Sequence, residues 1–288
     1  MKARLPVAFS LLIAARVFSA EPVETGIAAR YPRDVGIAKD PAVVFTEDFE
    51  GKDFSSWDSA RHPQPPAVQL VTDSGRVHSG KQSVQFMVPA GKGVGAGLVK
   101  WFKPGYDQLY ARWYCLFAED YDQGDLNHTG AKLAAETDRW HLGVAGQKPT
   151  GADFFITGIE PWRDWKRNPP PGELMFYTYY PDMKRDPDGH WWGNSFKPQQ
   201  KCLLQRGRWY CLEMMVKANS PDRTDGEQAF WVDGELKGRF QGIRWRTTDT
   251  LKLNCFWLTM YIHDSPQTNR IWMDDVVVAT QYIGPRSP

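Results

Sequence analysis

In QAFWVDGELKG (228–238) an Asp-Gly pair, Asp233 and Gly234, separates two short runs rich in strand-forming residues. A two-residue Asp-Gly loop accepts the positive φ angles that the right-handed twist of a hairpin demands. The stretch therefore predicts two antiparallel strands joined by a tight turn. Outward from it the same texture repeats. VVFTEDFE (43–50), VQLVTD (68–73), SVQFMV (83–88), GLVKWF (97–102) and YARWYCLF (110–117) all read as strands. So do LMFYTYY (174–180), WYCLEMMVKA (209–218), LKLNCFWLTMYI (251–262) and RIWMDDVVVA (270–279). Each is rich in Val, Tyr, Phe or Trp and is bounded by turn residues. No helical-period segment of useful length intervenes. Many strands without helices predict an all-β fold, an antiparallel β-sandwich.

The organisation is simple. Lys2 and Arg4 precede an apolar run over 5–15, and Ser19 and Ala20 follow, the layout of a secretory signal over 1–20. An N-terminal extension over 21–41 then leads into a single domain over 42–288, and the expected localisation is secreted or periplasmic. RWYCL occurs twice, at 112–116 and 208–212, but the flanks differ, so two strands have met one packing problem in the same way. Lys plus Arg total 35 against 34 Asp plus Glu, a balance that predicts no nucleic-acid partner and no membrane association after signal cleavage. A monomer is expected. Four cysteines, Cys115, Cys202, Cys211 and Cys255, permit two disulfides in an oxidising compartment or four buried thiols. A hairpin around Arg206-Gly207-Arg208 would make Cys202 and Cys211 the favoured pair. NHT at 127–129 is formally a glycosylation sequon.

Two chemistries suit such a scaffold. A sandwich glycosidase needs acidic residues on one strand face, and Glu136 and Asp138 are two apart. Trp140 and His141 stand where a third carboxylate would fall. The other chemistry is β-elimination of a uronate polysaccharide, which needs a base, an acid and a cation for the substrate carboxylate. FYTYYP (176–181) supplies phenols: Tyr177 and Tyr179 share one strand face, with Phe176, Thr178 and Tyr180 on the other. A free phenol has a pKa of about 10, so a tyrosine base at neutral pH requires a nearby Lys or Arg.

NHTGAKLA (127–134) followed by GELMFYTYYP (172–181) resembles the lysine strand and the Y-x-Y-x-P strand of polysaccharide lyase family 14 and its glucuronan-lyase relatives. WWGNSF (191–196), the stretch over 207–236 and RIWMDDVVVA continue the likeness in the same order. The resemblance implies a jelly roll of concanavalin A-like type acting on an acidic polysaccharide, alginate or glucuronan, with no cofactor required for catalysis. It implies Lys132 as the cation meeting the substrate carboxylate and Tyr177 and Tyr179 as acid and base. The sequence departs from the family where Leu-Ala-Ala follows the lysine. The hydroxyl-x-Arg motif falls at Thr157-Gly158-Ile159 without its arginine, for which Arg163 or Arg167 would substitute. His128, His190, Trp191, Trp192, Trp162 and His263 complete the expected groove, with Trp165 beside Trp162. A non-catalytic carbohydrate-binding sandwich is the alternative, and a glycoside hydrolase ranks behind both. Glu47, Asp48, Glu50, Asp274 and Asp275 would gather where first and last strands pair. A structural calcium ion at Asp48 and Asp275 is expected there, against the alternative of hydrated surface carboxylates.

Overall fold

The computed structural model describes residues 25–61, 67–137 and 145–288. The predicted leader and the Asp138, Trp140 and His141 of the glycosidase reading lie outside the described residues. The chain runs through β1 (Val43–Glu47), β2 (Ser59–Arg61), β3 (Val68–Val71), β4 (Ser83–Val88), β5 (Gly91–Tyr106) and β6 (Gln108–Phe117). It continues through β7 (Asn127–Glu136), β8 (Phe154–Trp162), β9 (Gly172–Tyr179), β10 (Asn194–Phe196) and β11 (Leu203–Leu204). The last elements are β12 (Trp209–Lys217), β13 (Gly226–Val232), β14 (Glu235–Ile243), β15 (Leu253–Ser265) and β16 (Asn269–Ala279).

These strands form two antiparallel sheets of eight that face each other as a jelly-roll sandwich. The back sheet has the order β14-β13-β12-β6-β16-β4-β3, with β1 also on β16. The front sheet has the order β10-β9-β8-β7-β15-β5-β2, with β11 on β9. Asp233 and Gly234, at φ 52° and 82°, make the tight turn between β13 and β14 that the Asp-Gly pair predicts. Between the sheets, alternate residues interdigitate. Phe176 of β9 meets Phe230 of β13 edge-on with ring centroids 5.5 Å apart, and Trp113, Phe155 and Phe256 are completely buried. Among the described residues no helix is long and apolar enough to cross a membrane.

Several expectations need correcting. β8 is a full strand, although FFITGIEPW lacks clear alternation: Gly158 and Pro161 interrupt it. All four cysteines are free and buried. Cys202 and Cys211 do not share a hairpin, because β11 pairs with β9 in the front sheet and β12 with β6 in the back sheet. Asn127 is buried, and its side-chain N–H donates to the Pro161 carbonyl at 2.8 Å, which gives the sequon a structural use.

First and last strands pair, β1 against β16, but the carboxylates there turn to separate donors. Asp48 accepts the Glu50 N–H at 3.1 Å. Asp275 faces His78 Nδ1 at 2.6 Å and accepts from the Ser79 hydroxyl at 2.7 Å, while Asp274 takes the His78 and Ser79 N–H groups. Among the described residues no group of three or more His, Cys, Asp or Glu side chains is arranged to hold a metal ion.

Candidate active site

Along β9 the even residues Phe176 and Thr178 point into the core and are fully buried, which turns Tyr177 and Tyr179 to the outer face of the front sheet. There they line a cleft of about 500 Å³ together with His128, Lys132, Trp192 and Trp257. The two phenol oxygens are 3.4 Å apart, and the Gly193 N–H donates to the Tyr177 oxygen at 2.8 Å. Gly193 follows β9 by a loop and returns beside it at the start of β10, so the backbone itself holds the tyrosine.

Lys132 shares a row and a cleft with this pair, and a glycine lies between them. In the sheet Lys132 stands opposite Gly158, and Gly158 opposite Tyr177. A Cβ on Gly158 would lie 2.6 Å from Lys132 Cγ and 2.8 Å from the Ala131 carbonyl oxygen. The missing side chain leaves the lysine stem room to lie across β8. On its other side Lys132 faces Trp257 of β15, with Nζ 5.0 Å from the ring centroid, a cation–π contact that holds the ammonium in the cleft. Across from Thr259 and Tyr261, β5 presents Gly97 and Gly95, and a Cβ on Gly97 would lie 2.4 Å from Trp257 Nε1.

Burial decides the protonation of the phenols. Desolvation, followed by the neighbouring Tyr179 oxygen, pushes Tyr177 far above its ordinary value, and desolvation raises Tyr179 as well. Burial thus favours the protonated form of both phenols, opposite in direction to the lowering that a tyrosine base at neutral pH requires.

His128 of β7 also lines the cleft. Its Nδ1 lies 2.9 and 3.2 Å from the two carboxylate oxygens of Glu160 on β8. Its ring lies 4.9 Å from Tyr177 and stacks on Tyr261 at 5.9 Å, centroid to centroid. Glu160, Trp257, Thr259 and Tyr261 had no place in the sequence reading. The signal for Glu160 was its phase: two residues after Gly158, it faces outward with the lysine row.

The other expected site residues divide. His263 and Trp192 line the cleft. Trp192 Nε1 donates to Asp188 at 2.7 Å and its ring lies 5.2 Å from His190. Trp191 is held behind them, with Lys148 Nζ 4.7 Å from its ring and its N–H on the Gly146 carbonyl. Thr157 does not reach the cleft. Its hydroxyl is fully buried between the sheets, 2.7 Å from the Thr178 hydroxyl and 2.8 Å from Gln228 Oε1. The odd phase of Thr157 on β8 sends it inward, so the outward positions of the hydroxyl-x-Arg register are Gly158 and Glu160. Arg163 is not a substitute for the missing arginine: Nη1 donates to Asp122 at 2.7 Å and to the Gly124 carbonyl at 2.8 Å, tying two loops together. Arg167 pairs with Asp164 at 3.5 Å on the surface. Trp162, with Lys197 Nζ 4.2 Å over its ring and Trp165 at its edge, sits at the end of β8 and is not among the cleft's lining residues.

This arrangement of sheets recurs in solved lyases. The marine PL-14 alginate lyase from Aplysia kurodai superposes with a TM-score of 0.65 at 13 % identity, over 83 % of this chain and 99 % of that one. The chain has the jelly-roll fold of the polysaccharide lyases. The alginate lyase vAL-1 from Chlorella virus matches over 83 % of this chain and 99 % of its own, with a TM-score of 0.61 and 15 % identity. The endo-β-1,4-glucuronan lyase from Trichoderma reesei matches over 83 % and 95 %, with a TM-score of 0.53 and 14 % identity. No protein-family model matches the sequence, and no curated protein is similar to it in sequence. Identities this low carry the fold alone, so the chemistry of the cleft rests on its own residues.

Proposed function

We propose that the protein is an exported polysaccharide lyase that cleaves a uronate-containing polysaccharide by β-elimination. The observation that carries this reading is the joint presence of Lys132, Tyr177 and Tyr179 in one cleft, with the phenol oxygens 3.4 Å apart. Proton loss at C5 of a uronate is difficult because the carbanion develops beside a carboxylate. Lys132 neutralises that carboxylate; at about 4 Å and an effective dielectric of about 20, one ammonium contributes on the order of 4 kcal/mol. The glycosidic oxygen on C4 then leaves with a proton. Tyr177 and Tyr179, kept protonated by burial, suit its delivery. Trp257 and Trp192 offer flat faces for sugar rings.

The test is incubation with alginate, glucuronan, ulvan and glycosaminoglycans, following the ultraviolet absorbance of the unsaturated uronate. A rise with one acidic polymer supports the reading and names the substrate class. Binding without any rise would replace it with the non-catalytic carbohydrate-binding reading.

A further inference from the structure

We propose that His128 is the base of this elimination and that Glu160 positions it. The inference rests on the lyase reading and departs from a mechanism in which tyrosine is both base and acid. Glu160 is 5 % exposed, whereas the His128 side chain keeps 34 % of its surface at the cleft. The carboxylate therefore lies beneath the ring, away from any substrate. A carboxylate only accepts hydrogen bonds, so Nδ1 carries the proton directed at Glu160 Oε2, 2.9 Å away. Nε2 is then the nitrogen with the lone pair. Tyr261 stacked on one side and Tyr177 on the other restrict rotation of the ring. A buried acid fixing the tautomer of a cleft imidazole is the arrangement by which serine hydrolases orient their base.

Gly130 makes the contact possible. It lies between His128 and Lys132 on β7, at φ 146°, and a Cβ there would lie 2.2 Å from the Ile159 carbonyl oxygen, so only glycine lets β7 approach the strand that carries Glu160 this closely. The positions also fit the surroundings: the phenols are held protonated, which leaves the imidazole as the acceptor beside Tyr177.

The step balances without a co-reactant. Nε2 takes the C5 proton, and the electron pair of that bond forms the C4=C5 double bond. The C4–O4 bond breaks, and O4 takes a proton from a phenol of the tyrosine pair. The imidazolium then returns a proton to the phenolate, restoring both groups.

The experiment uses the full chain and the polysaccharide it cleaves fastest. His128→Ala is expected to lower kcat at least about a hundredfold, with partial recovery in added imidazole and with oligosaccharide binding retained at a temperature where the variant is folded, since Glu160 is left buried without its partner. Glu160→Gln is expected to lower kcat roughly tenfold or more, with KM changed less than about threefold. The glutamine amide can donate to Nδ1, so the nitrogen-15 shifts of His128 should show the proton moved from Nδ1 to Nε2, a change that a merely structural residue would not cause. If His128→Ala keeps kcat within about fivefold while the tyrosine variants lose activity, the base is a tyrosine and the proposal is overturned. An unchanged tautomer and kcat in Glu160→Gln would overturn the positioning role alone. A wild-type protein that releases no unsaturated product from any polyuronate removes the lyase reading first, before any variant is compared.

Discussion

At the scale of single residues, Gly158 has the largest consequence for the smallest change. Gly158→Ala would press a methyl group on the stem of Lys132 and on the Ala131 carbonyl. The expected result is a lowered melting temperature and a kcat reduced more than KM is raised, measured by thermal melts and steady-state kinetics. Tyr177→Phe and Tyr179→Phe should leave the fold intact, since both rings remain, and the weaker of the two should lose about a hundred- to ten-thousandfold in kcat. Less than about fivefold for both would count against a phenol as the acid. Lys132→Ala should be at least as damaging, because it removes the cation that meets the substrate carboxylate. The tyrosine pair was legible because a period of two holds along any strand. Thr157 was misplaced and Glu160 missed for the same reason in reverse: a strand's phase is set by which residues its neighbours bury, and Gly158 and Pro161 hide that phase in β8.

At the scale of elements, the cleft exists because β7, β8 and β9 align Lys132, Gly158 and Tyr177 in one row. The loop from β9 to β10 then returns Trp192 and Gly193 to the tyrosines. Trp192 lines the cleft while its indole N–H donates to Asp188, so it belongs to binding rather than to the proton transfers. Trp192→Ala should raise KM roughly fivefold, corresponding to about 1 kcal/mol for an aromatic contact, with kcat nearly unchanged. Equal losses in kcat would mean that the loop instead sets the position of Tyr177. The Asp233-Gly234 hairpin was legible from two residues. The β11–β12 connection was not, because a short turn-rich stretch reads the same whether it folds back within a sheet or crosses between sheets.

At the scale of the molecule, the outer face of the back sheet is covered by the chain's own ends. Ile27, Ala28 and Ile37 pack with Tyr110, Met215 and Trp231 in a second apolar cluster, and the Ile27 and Ala28 N–H groups donate to the carbonyls of Tyr282 and Ile283. Residues 25–41 of the N-terminal extension thus pack onto the sandwich. Beneath it Arg112 is fully buried and donates to both oxygens of Asp34 and to the carbonyls of Asp275 and Gly284. Asp34→Ala would leave that guanidinium buried without its counter-charge. A loss of about 3 kcal/mol is expected in denaturant unfolding, with the cleft on the opposite sheet still binding oligosaccharide.

The same cover should be acid-sensitive. The Ala42 N–H, then Arg30, hold the buried Asp40 carboxyl below its ordinary value. Its contribution is therefore fully present above the ordinary carboxylate range and is lost as pH falls through the lower folded-state value. The melting temperature should fall with pH below about 4, and Asp40→Asn should be less stable at neutral pH and flatter across that acid range.

The all-β sandwich, the tight hairpin at Asp233-Gly234 and the division of FYTYYP into a buried and an open face were legible in the chain's own segments. These follow from local rules, turn stereochemistry and a two-residue period, that need no knowledge of partners. Only the assembled sheets place Lys132, Gly158 and Tyr177 in one row, set Glu160 beneath His128, bury the phenols so that they stay protonated, and lay the N-terminal segment over Arg112. Each of these depends on the register between strands distant in sequence and on how much water the assembled sheets exclude, and neither quantity is written in any one segment.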